Sequence, residues 1–364
     1  MANQYVRYSP SLERKEPDED AMIARIVESM SRANVEVYKK HRHGLRDAHA
    51  KSHAVLAGEL RIHEGLPEHL QQGLFAVPRT YQVIVRLSSA PGDIRPDWLL
   101  AHFGMAIKVL GVEGQRAIKD GLDTQDFLLV NSPTLPFGTV GEYLKLQKLL
   151  EQHPTKTDDE LASIGKKARL AAKVLKALGR PLPAPVELLS PENAHPLGET
   201  FHSMAALRFG DHVGKFSAAP LSDNVRALTG QEVDHAGRPS SPVRDLLEEF
   251  FAHNSAEFAL RVQLCTDIDR LPIEDASVLW REDLSPHQTV ATLHLAAQNA
   301  VSDARRIYAD DVMSYTPWHA LEAHRPLGAI MRSRRRAYPA SSDFRHGVNN
   351  VEAVEPRSLS DLPA

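Results

Sequence analysis

The chain has 364 residues, of which 42% are hydrophobic and 25% are charged, as in an ordinary globular protein with a closed apolar core. Its formal net charge of −4 argues against a general nucleic-acid or membrane-surface binder, since both need a basic surface. The single cysteine, Cys265, excludes an intrachain disulfide and a cysteine-ligated metal site, and its apolar surroundings give no sign of an activated thiol.

The first predicted element is a helix over residues 21–43, where apolar residues recur at helical spacing. Runs of apolar and β-branched residues between turn signals then predict strands. These strands lie at residues 81–89, 103–110, 125–130, 203–209, 257–266 and 289–295. Residues 138–178 are rich in alanine, leucine and lysine and predict helix split near Pro154, and a proline-rich loop follows over 181–197.

Because the strands cluster in the middle and the helices flank them without strict alternation, this order predicts an α+β fold around an antiparallel sheet or barrel. We expect residues 1–20 to form a loosely ordered N-terminal arm, residues 21–350 to form one domain with a helical insertion at about 138–180, and residues 351–364 to form a C-terminal tail. The N-terminus has no secretory signal and no segment is as long as a membrane helix, so we expect a cytoplasmic protein.

The segment 325–339 carries the first candidate site residue. Pro326 suits the first position of a helix and Pro339 disfavours its continuation, so Tyr338 is predicted to lie in the last turn. Arg334 lies one turn earlier on the same face, where its positive charge favours a phenolate, a hard oxygen ligand for ferric iron. Taken alone, the segment fits better a basic helix end that complements the macrodipole.

A second candidate lies in Arg46-Asp-Ala-His49-Ala-Lys51-Ser-His53. Histidine is the usual proton carrier near neutral pH, so His49 is a candidate acid/base. The spacing of His49 and His53 would also let them share a metal ion on a helix, but no third ligand accompanies them. One histidine among 18 is more often a surface or core residue.

Two shorter motifs follow on predicted strands. Arg86 and Ser88 are two residues apart and therefore point to the same face, where a buried arginine needs an anion. Asn131, in Asn131-Ser-Pro133, directly follows the predicted strand 125–130. Taken alone, this motif predicts only a turn that closes the strand.

The order and spacing of these motifs resemble the haem catalase superfamily. That family carries R-x-x-H-A-K, V-R-F-S, N-x-P, R-x-x-x-Y-P and then an arginine shortly before a glycine. The corresponding segments here are residues 46–51, 85–88 with Leu87 in place of phenylalanine, 131–133, 334–339, and 345–347. These ordered motifs, spread from residue 46 to 347, form a specific resemblance, and it implies an antiparallel barrel core with flanking helices.

The resemblance implies a role for each candidate. Tyr338 would be the axial ligand of heme b (iron protoporphyrin IX), and Arg334 would hold it as phenolate. His49 would be the distal acid/base, Asn131 would position the peroxide, and Ser88 would hydrogen-bond His49 and fix its tautomer. The haem propionates would be held by Arg46, Arg86 and Arg345.

The resemblance also implies breakdown of hydrogen peroxide or organic hydroperoxides through a ferryl intermediate. A second peroxide would reduce that intermediate in a catalase, and an organic donor would do so in a peroxidase. Full-length catalases continue well beyond the tyrosine, whereas this chain ends at Ala364. We therefore expect a minimal catalase-related peroxidase without the C-terminal helical region and without bound NADPH; a homo-oligomer is compatible with this.

Three departures from the family pattern bear on the pocket. Ala48 replaces the usual valine before the distal histidine, and Leu135-Pro136 replaces the aromatic residues that usually follow N-x-P. His53 stands after Lys51-Ser52, where the family usually has a glycine-rich segment. The first two changes predict a wider distal pocket with weaker selection for the smallest peroxide.

Three other functions remain open. A catalase-like hydroperoxide isomerase, similar to the allene oxide synthases of this family, would keep the same haem pocket and rearrange a lipid hydroperoxide. A haem carrier or gas sensor would not need His49 and Asn131. Nucleic-acid binding through the basic run 332–336 is disfavoured by the acidic net charge.

Overall fold

The computed structural model describes residues 5–235 and 241–364. Within these residues the chain forms nine strands, most of them with alternating or continuous apolar residues. The strands are β1 (Lys51–Ile62), β2 (Thr80–Ser89), β3 (Phe103–Val109), β4 (Gln125–Val130), β5 (Phe201–His202), β6 (Leu207–Phe209), β7 (His212–Pro220), β8 (Ala256–Leu264) and β9 (His287–Leu295).

The strands close into a barrel. All neighbours pair antiparallel in the order β5-β4-β3-β2-β1-β9-β8-β7, and β5 pairs with β7, so eight strands form a ring; β6 adds to β7. Aromatic side chains fill the interior, with Phe127 and Phe216 in edge contact at 4.7 Å and Phe75 stacked on Phe209 at 5.6 Å. The predicted α+β fold with an antiparallel barrel is confirmed, and the aromatic side chains in its interior leave the outer face of the barrel available for a site.

The helices lie outside the barrel. They are α1 (Glu19–His41), α2 (Val140–Glu151), α3 (Asp158–Ala177), α4 (Ala184–Leu189), α5 (Asp223–Arg226), α6 (Pro242–His253), α7 (Asp303–Ile307) and α8 (Ala329–Asn349). Helices α1, α2 and α8 contact one another, and residues of all three line one cavity together with residues of β2–β4. A π-helical turn, Tyr308–Val312, extends α7.

The two ends of the chain make specific contacts. Residues 1–4 of the predicted arm lie outside the described residues, but the Val6 amide donates to Cys265 O at 2.8 Å and the Tyr8 amide donates to Asp211 O at 2.8 Å. In the tail, the Leu359 amide donates to the Gln82 side chain at 3.2 Å.

The prediction for the last helix is wrong at both ends. Helix α8 begins at Ala329, not Pro326, because the Ala329 amide is capped by a distant carboxylate, that of Glu274, at 2.7 Å. It also continues through Pro339 to Asn349. A proline inside a helix costs about 3 kcal/mol, but the turns beyond it carry Arg345, which is 1% exposed and hydrogen-bonded. Tertiary contacts therefore outweigh the local preference.

Other differences are smaller. Only the end of the predicted strand 203–209 forms a strand, β6; β5 already ends at His202, and Met204 between them has a positive φ of 59°. Strands β1 and β7 were not predicted. β7 is rich in glycine, serine and alanine and therefore lacks a clear β pattern. The predicted loop 181–197 contains α4. The split of the helical insertion into α2 and α3 is confirmed.

Candidate functional site

A cavity of about 670 Å³ lies between the outer face of the barrel and helix α8. Two rows of cross-strand neighbours on β2, β3 and β4 form the barrel wall. One row is Arg86, Ala106 and Leu128, and the other is Ser88, Gly104 and Val130. Alternate residues of the same strands, such as Val85, Ile107 and Phe127, enter the barrel core. The strand period therefore assigns Arg86 and Ser88 to the cavity side.

His49 enters the cavity from the segment just before β1. Its backbone has a positive φ of 58°, and its amide donates to Ala90 O at 2.9 Å. The ring is not on a helix with His53, which lies within β1 with its Nε2 2.6 Å from Ser89 Oγ, so the helical metal pair considered for these two histidines does not form. The turn at His49 aims one histidine at the cavity and the strand holds the other outside it.

The His49 ring is held by two neighbours. Its Nδ1 lies 3.1 Å from Ser88 Oγ, and Gly104 lies directly against the ring: a Cβ on Gly104 would be 2.5 Å from Nδ1. Burial, followed by the charges of Arg86 and Arg334, lowers the pKa of His49 to about 3. The imidazole is therefore neutral at physiological pH. Gly104 was missed by the sequence reasoning, although a glycine inside a predicted strand is a known sign of close approach.

Tyr338 lines the cavity from helix α8, together with Arg334. Burial raises the pKa of Tyr338 above its usual value, and Asp47 raises it further, whereas Arg334 and Arg46 lower it. Arg334 thus acts in the expected direction, but burial outweighs it. Among the described residues the Tyr338 hydroxyl has no hydrogen-bond partner. The phenol is therefore neutral in this environment and is oriented by the helix.

Three arginines meet at one end of the cavity, and we call them the arginine cluster: Arg46, Arg86 and Arg345. Arg86 donates from Nε to Asp310 Oδ1 at 2.8 Å and from Nη2 to His49 O at 2.7 Å. Arg345 donates from Nη1 to the carbonyl oxygens of Asp310 and Asp311 at 2.6 and 2.7 Å.

Arg46 completes the cluster from the segment before His49. Its Nη2 donates to the carbonyl oxygens of Ala309 and, at 3.0 Å, Met313, so the π-helical turn supplies acceptors to all three arginines. Its Nε is buried without a partner. Asp310 and its turn were missed by the sequence reasoning, since two consecutive aspartates give no local signal of this role.

The arginine cluster is short of negative charge. Burial, and then the charges of Arg345 and Arg86, lower the pKa of Arg46 to about 9. Burial also lowers the pKa of Arg345 to about 10, although Asp311 and Asp310 act in the opposite direction. Buried like charges are costly unless anions balance them. A ligand with carboxylates at this end of the cavity, such as the two propionates of haem, fits this deficit and the unpartnered Nε of Arg46.

The structure does not bring Asn131 into the cavity. Its Nδ2 donates to Glu199 Oε2 at 2.9 Å, and its Oδ1 accepts from the Phe103 amide at 2.8 Å. Its neighbour His102 lines the cavity instead, with a pKa lowered mainly by burial. His102 is a polar cavity residue that the sequence reasoning missed.

Two of the three departures from the family pattern, Ala48 and Leu135-Pro136, lie at the cavity. Ala48, Leu135 and Pro136 all line it, and so do the apolar side chains Leu99, Leu100, Phe137 and Ile330. His53 does not line it, so its departure does not alter the cavity surface.

The basic run 332–336 is engaged within the fold. Arg332 forms ion pairs of 2.7–3.0 Å with Glu13, Glu19 and Glu274. Arg335 lies over the Trp318 ring, 4.9 Å from its centroid. These contacts leave the run poorly suited to phosphate binding.

Three further observations concern sites of other kinds. Cys265 is buried, and burial raises the pKa of its thiol to about 12, which disfavours thiolate chemistry. Across residues 5–235 and 241–364, no three His, Cys, Asp or Glu side chains are grouped to hold a metal ion. In the same residues no helix has the length and apolar character needed to cross a membrane.

Comparison with known proteins finds similarity in structure only. No family model and no curated protein matches the sequence. Among solved structures, a fungal catalase superposes with a TM-score of 0.58 at 16% identity, covering 86% of this chain and 62% of that one. Catalase A from Saccharomyces cerevisiae gives 0.56 at 13%, covering 86% and 64%, and a bacterial catalase gives 0.58 at 16%, covering 96% and 65%. The chain thus spans less than two thirds of the length of these catalases.

Proposed function

The chain has the catalase fold, and on this premise we propose that it is a haem-dependent enzyme that breaks down hydrogen peroxide or organic hydroperoxides. One observation carries the proposal. A histidine backed by a serine, His49 with Ser88, and a tyrosine beside an arginine, Tyr338 with Arg334, line different walls of one cavity. That cavity ends at the charge-deficient arginine cluster.

The described residues supply each kind of contact that heme b needs. Tyr338 would ligate the iron through its phenol oxygen, and metal binding itself would remove the phenolic proton against the effect of burial. Arg334 would stabilise the resulting negative charge. The arginine cluster would bind the propionates. When bound, haem supplies the iron at which the peroxide bond is cleaved and electrons are transferred.

His49 is the proton carrier of the proposed reaction. As a neutral imidazole it can accept the proton of a hydroperoxide and return it to the oxygen that leaves. Its Nδ1 faces Ser88 Oγ, and Nε2 has no hydrogen-bond partner among the described residues, so Nε2 is the nitrogen open to the substrate. Ser88 and Gly104 act as positioning residues for the ring. The role of Asn131 in positioning peroxide stays a prediction, because its carboxamide is bonded to Glu199 and Phe103.

A second candidate is the rearrangement of an organic hydroperoxide by the same residues. The small and apolar lining at Ala48, Leu135 and Pro136 favours a substrate larger than hydrogen peroxide. Product analysis separates the two functions, since an isomerase yields one rearranged product and neither dioxygen nor oxidised donor.

The test uses purified protein loaded with haem. Oxygen release from hydrogen peroxide and oxidation of an aromatic donor are measured for the wild type, His49→Gln and a control, His63→Gln, whose ring instead contacts Thr292 at 2.9 Å. We expect His49→Gln to keep haem and lose peroxide turnover by about 100-fold or more, while the control stays at the wild-type rate. Full turnover by His49→Gln, or none by the loaded wild type, would contradict the proposal.

A further inference from the structure

The outer face of helix α3 carries an exposed apolar stripe. Leu170 and Val174 on α3, and Leu178 at its C-cap, are 65%, 50% and 65% exposed and follow one another at intervals of four residues. Side chains at this spacing lie on the same face of a helix. Single exposed apolar residues are common, but an aligned row of them is typical of a surface that binds a protein or a membrane.

Basic side chains flank this stripe. Residues 161–180 contain six lysines and arginines and no aspartate or glutamate, although the whole chain has a net charge of −4. The exposed members are Lys166, Lys167, Lys173, Lys176 and Arg180. Among the described residues only Lys176 of this set has an ion-pair partner, Glu192, at 2.9 Å.

The opposite face of the same helix forms part of the cavity wall. Leu161, Ile164 and Gly165 line the cavity, and Arg169 does so one turn later. Trp98, which is 43% exposed, also lines the cavity. Helix α3 therefore separates the cavity from the apolar and basic surface by the thickness of one helix.

We propose that the outer face of α3 binds a membrane surface that contains anionic lipid. The apolar stripe enters the boundary between headgroups and acyl chains, and the flanking lysines contact the headgroup phosphates, as in amphipathic helices that lie in the plane of a bilayer. The net charge of the chain does not oppose this, because the basic residues are concentrated on one face. Binding of this kind needs no spanning helix.

Two other occupants fit this surface less well. A second copy of the chain, related by a two-fold axis, would bring the lysines of both copies together and would be opposed by like-charge repulsion. A nucleic acid would match the lysines but not the apolar stripe, which offers no aromatic ring for base stacking.

The test is co-sedimentation of the full chain with large vesicles of phosphatidylcholine alone or mixed with phosphatidylserine, at low and high salt. We expect binding only to the mixed vesicles, weakened by salt. Replacement of the lysines in Lys166→Gln/Lys167→Gln/Lys173→Gln is expected to weaken binding on the order of 100-fold. Leu170→Ser/Val174→Ser is expected to weaken it about ten-fold or more.

The matched control is Val77→Ser/Lys119→Gln, which changes an exposed valine (67% exposed) and an exposed lysine outside α3. It should bind like the wild type, and thermal unfolding followed by circular dichroism checks that each variant is folded. Absence of binding to the mixed vesicles, or binding that neither α3 variant changes, would overturn the proposal. So would a lipid-free dimer that Leu170→Ser/Val174→Ser dissociates, since a second copy would then occupy the face. None of these readouts depends on haem or on turnover.

Discussion

Two groups of buried charge lie near the cavity, and they are balanced differently. One is the arginine cluster. The other, which we call the lysine network, joins Lys108 on β3 to Asp126, its direct partner on β4, at 2.9 Å and to Glu355 in the C-terminal tail at 3.0 Å. His319 joins the lysine network through Asp126, with its Nδ1 3.3 Å from Asp126 Oδ2.

The two groups shift the pKa of their cations in opposite directions. Burial alone would lower the pKa of Lys108, but Asp126 and Glu355 raise it above its ordinary value. The pKa of Arg46 falls to about 9, because burial is joined by Arg345 and Arg86. The lysine network is thus balanced within the chain, whereas Arg46 and Arg345 form no ion pair among the described residues, and under the proposed function a ligand would supply their anions. Under the proposed function, local charge balance distinguishes the lysine network, which holds the fold together, from the arginine cluster, which would bind a ligand.

The largest effect is expected from breaking the lysine network. Lys108→Met leaves Asp126 and Glu355 buried without their cation and should lower the free energy of unfolding of the haem-free protein by about 3–5 kcal/mol. Urea denaturation measures this. The control is Lys145→Met, at an exposed lysine of α2, which should change stability by about 0.5 kcal/mol or less. Equal stability of the two variants would remove the distinction between the two groups.

The arginine cluster should respond in the opposite way. Arg46→Met removes one of three like charges, so the haem-free protein should lose much less stability than Lys108→Met does. Haem affinity should fall by roughly 10- to 100-fold, since a hydrogen bond to a charged group contributes about 1.5–3 kcal/mol. Haem titration followed by absorbance measures this, with the exposed Arg270→Met as control. Unchanged haem affinity in Arg46→Met would argue that the cluster is structural.

A smaller effect on stability is expected from the lowered pKa of His49, which lies beside the arginine cluster. The pKa of His49 is about 3 in the folded chain against 6.5 unfolded, so the unfolded state binds more protons between these values. Stability contributed by this site therefore falls as pH falls below 6.5. Haem-free wild type should lose about 1 kcal/mol relative to His49→Gln between pH 6.5 and about 5.5. Parallel pH dependence of the two proteins in urea denaturation would show that the pKa of His49 is not lowered.

The sequence predicted the features that repeat along the chain. Strand alternation at Arg86 and Ser88 and helical spacing over 21–43 are local patterns; they predicted the strands and α1, and the family resemblance narrowed a sheet or barrel to a barrel. The order of the motifs predicted that His49 and Tyr338 would belong to one site, and both line the same cavity.

Features that depend on distant partners were not predictable. The continuation of α8 through Pro339 depends on the contacts of Arg345, and its start depends on a carboxylate from Glu274. Asn131 turns to Glu199, which is 68 residues away, so its motif alone could not show that its side chain avoids the cavity. The effect of Arg334 on Tyr338 was predicted with the right sign, but the opposing effect of burial depends on the assembled cavity.

The central claim is that Tyr338 and the arginine cluster hold haem in this cavity, the tyrosine through iron and the arginines through the propionates. Titration with haem and with iron-free protoporphyrin IX tests it directly. The wild type should bind both. Tyr338→Phe should bind the iron-free compound unchanged but bind haem more weakly and with an altered spectrum, whereas Arg46→Met should weaken both. A Tyr338→Phe protein with the haem affinity and spectrum of the wild type would contradict the claim.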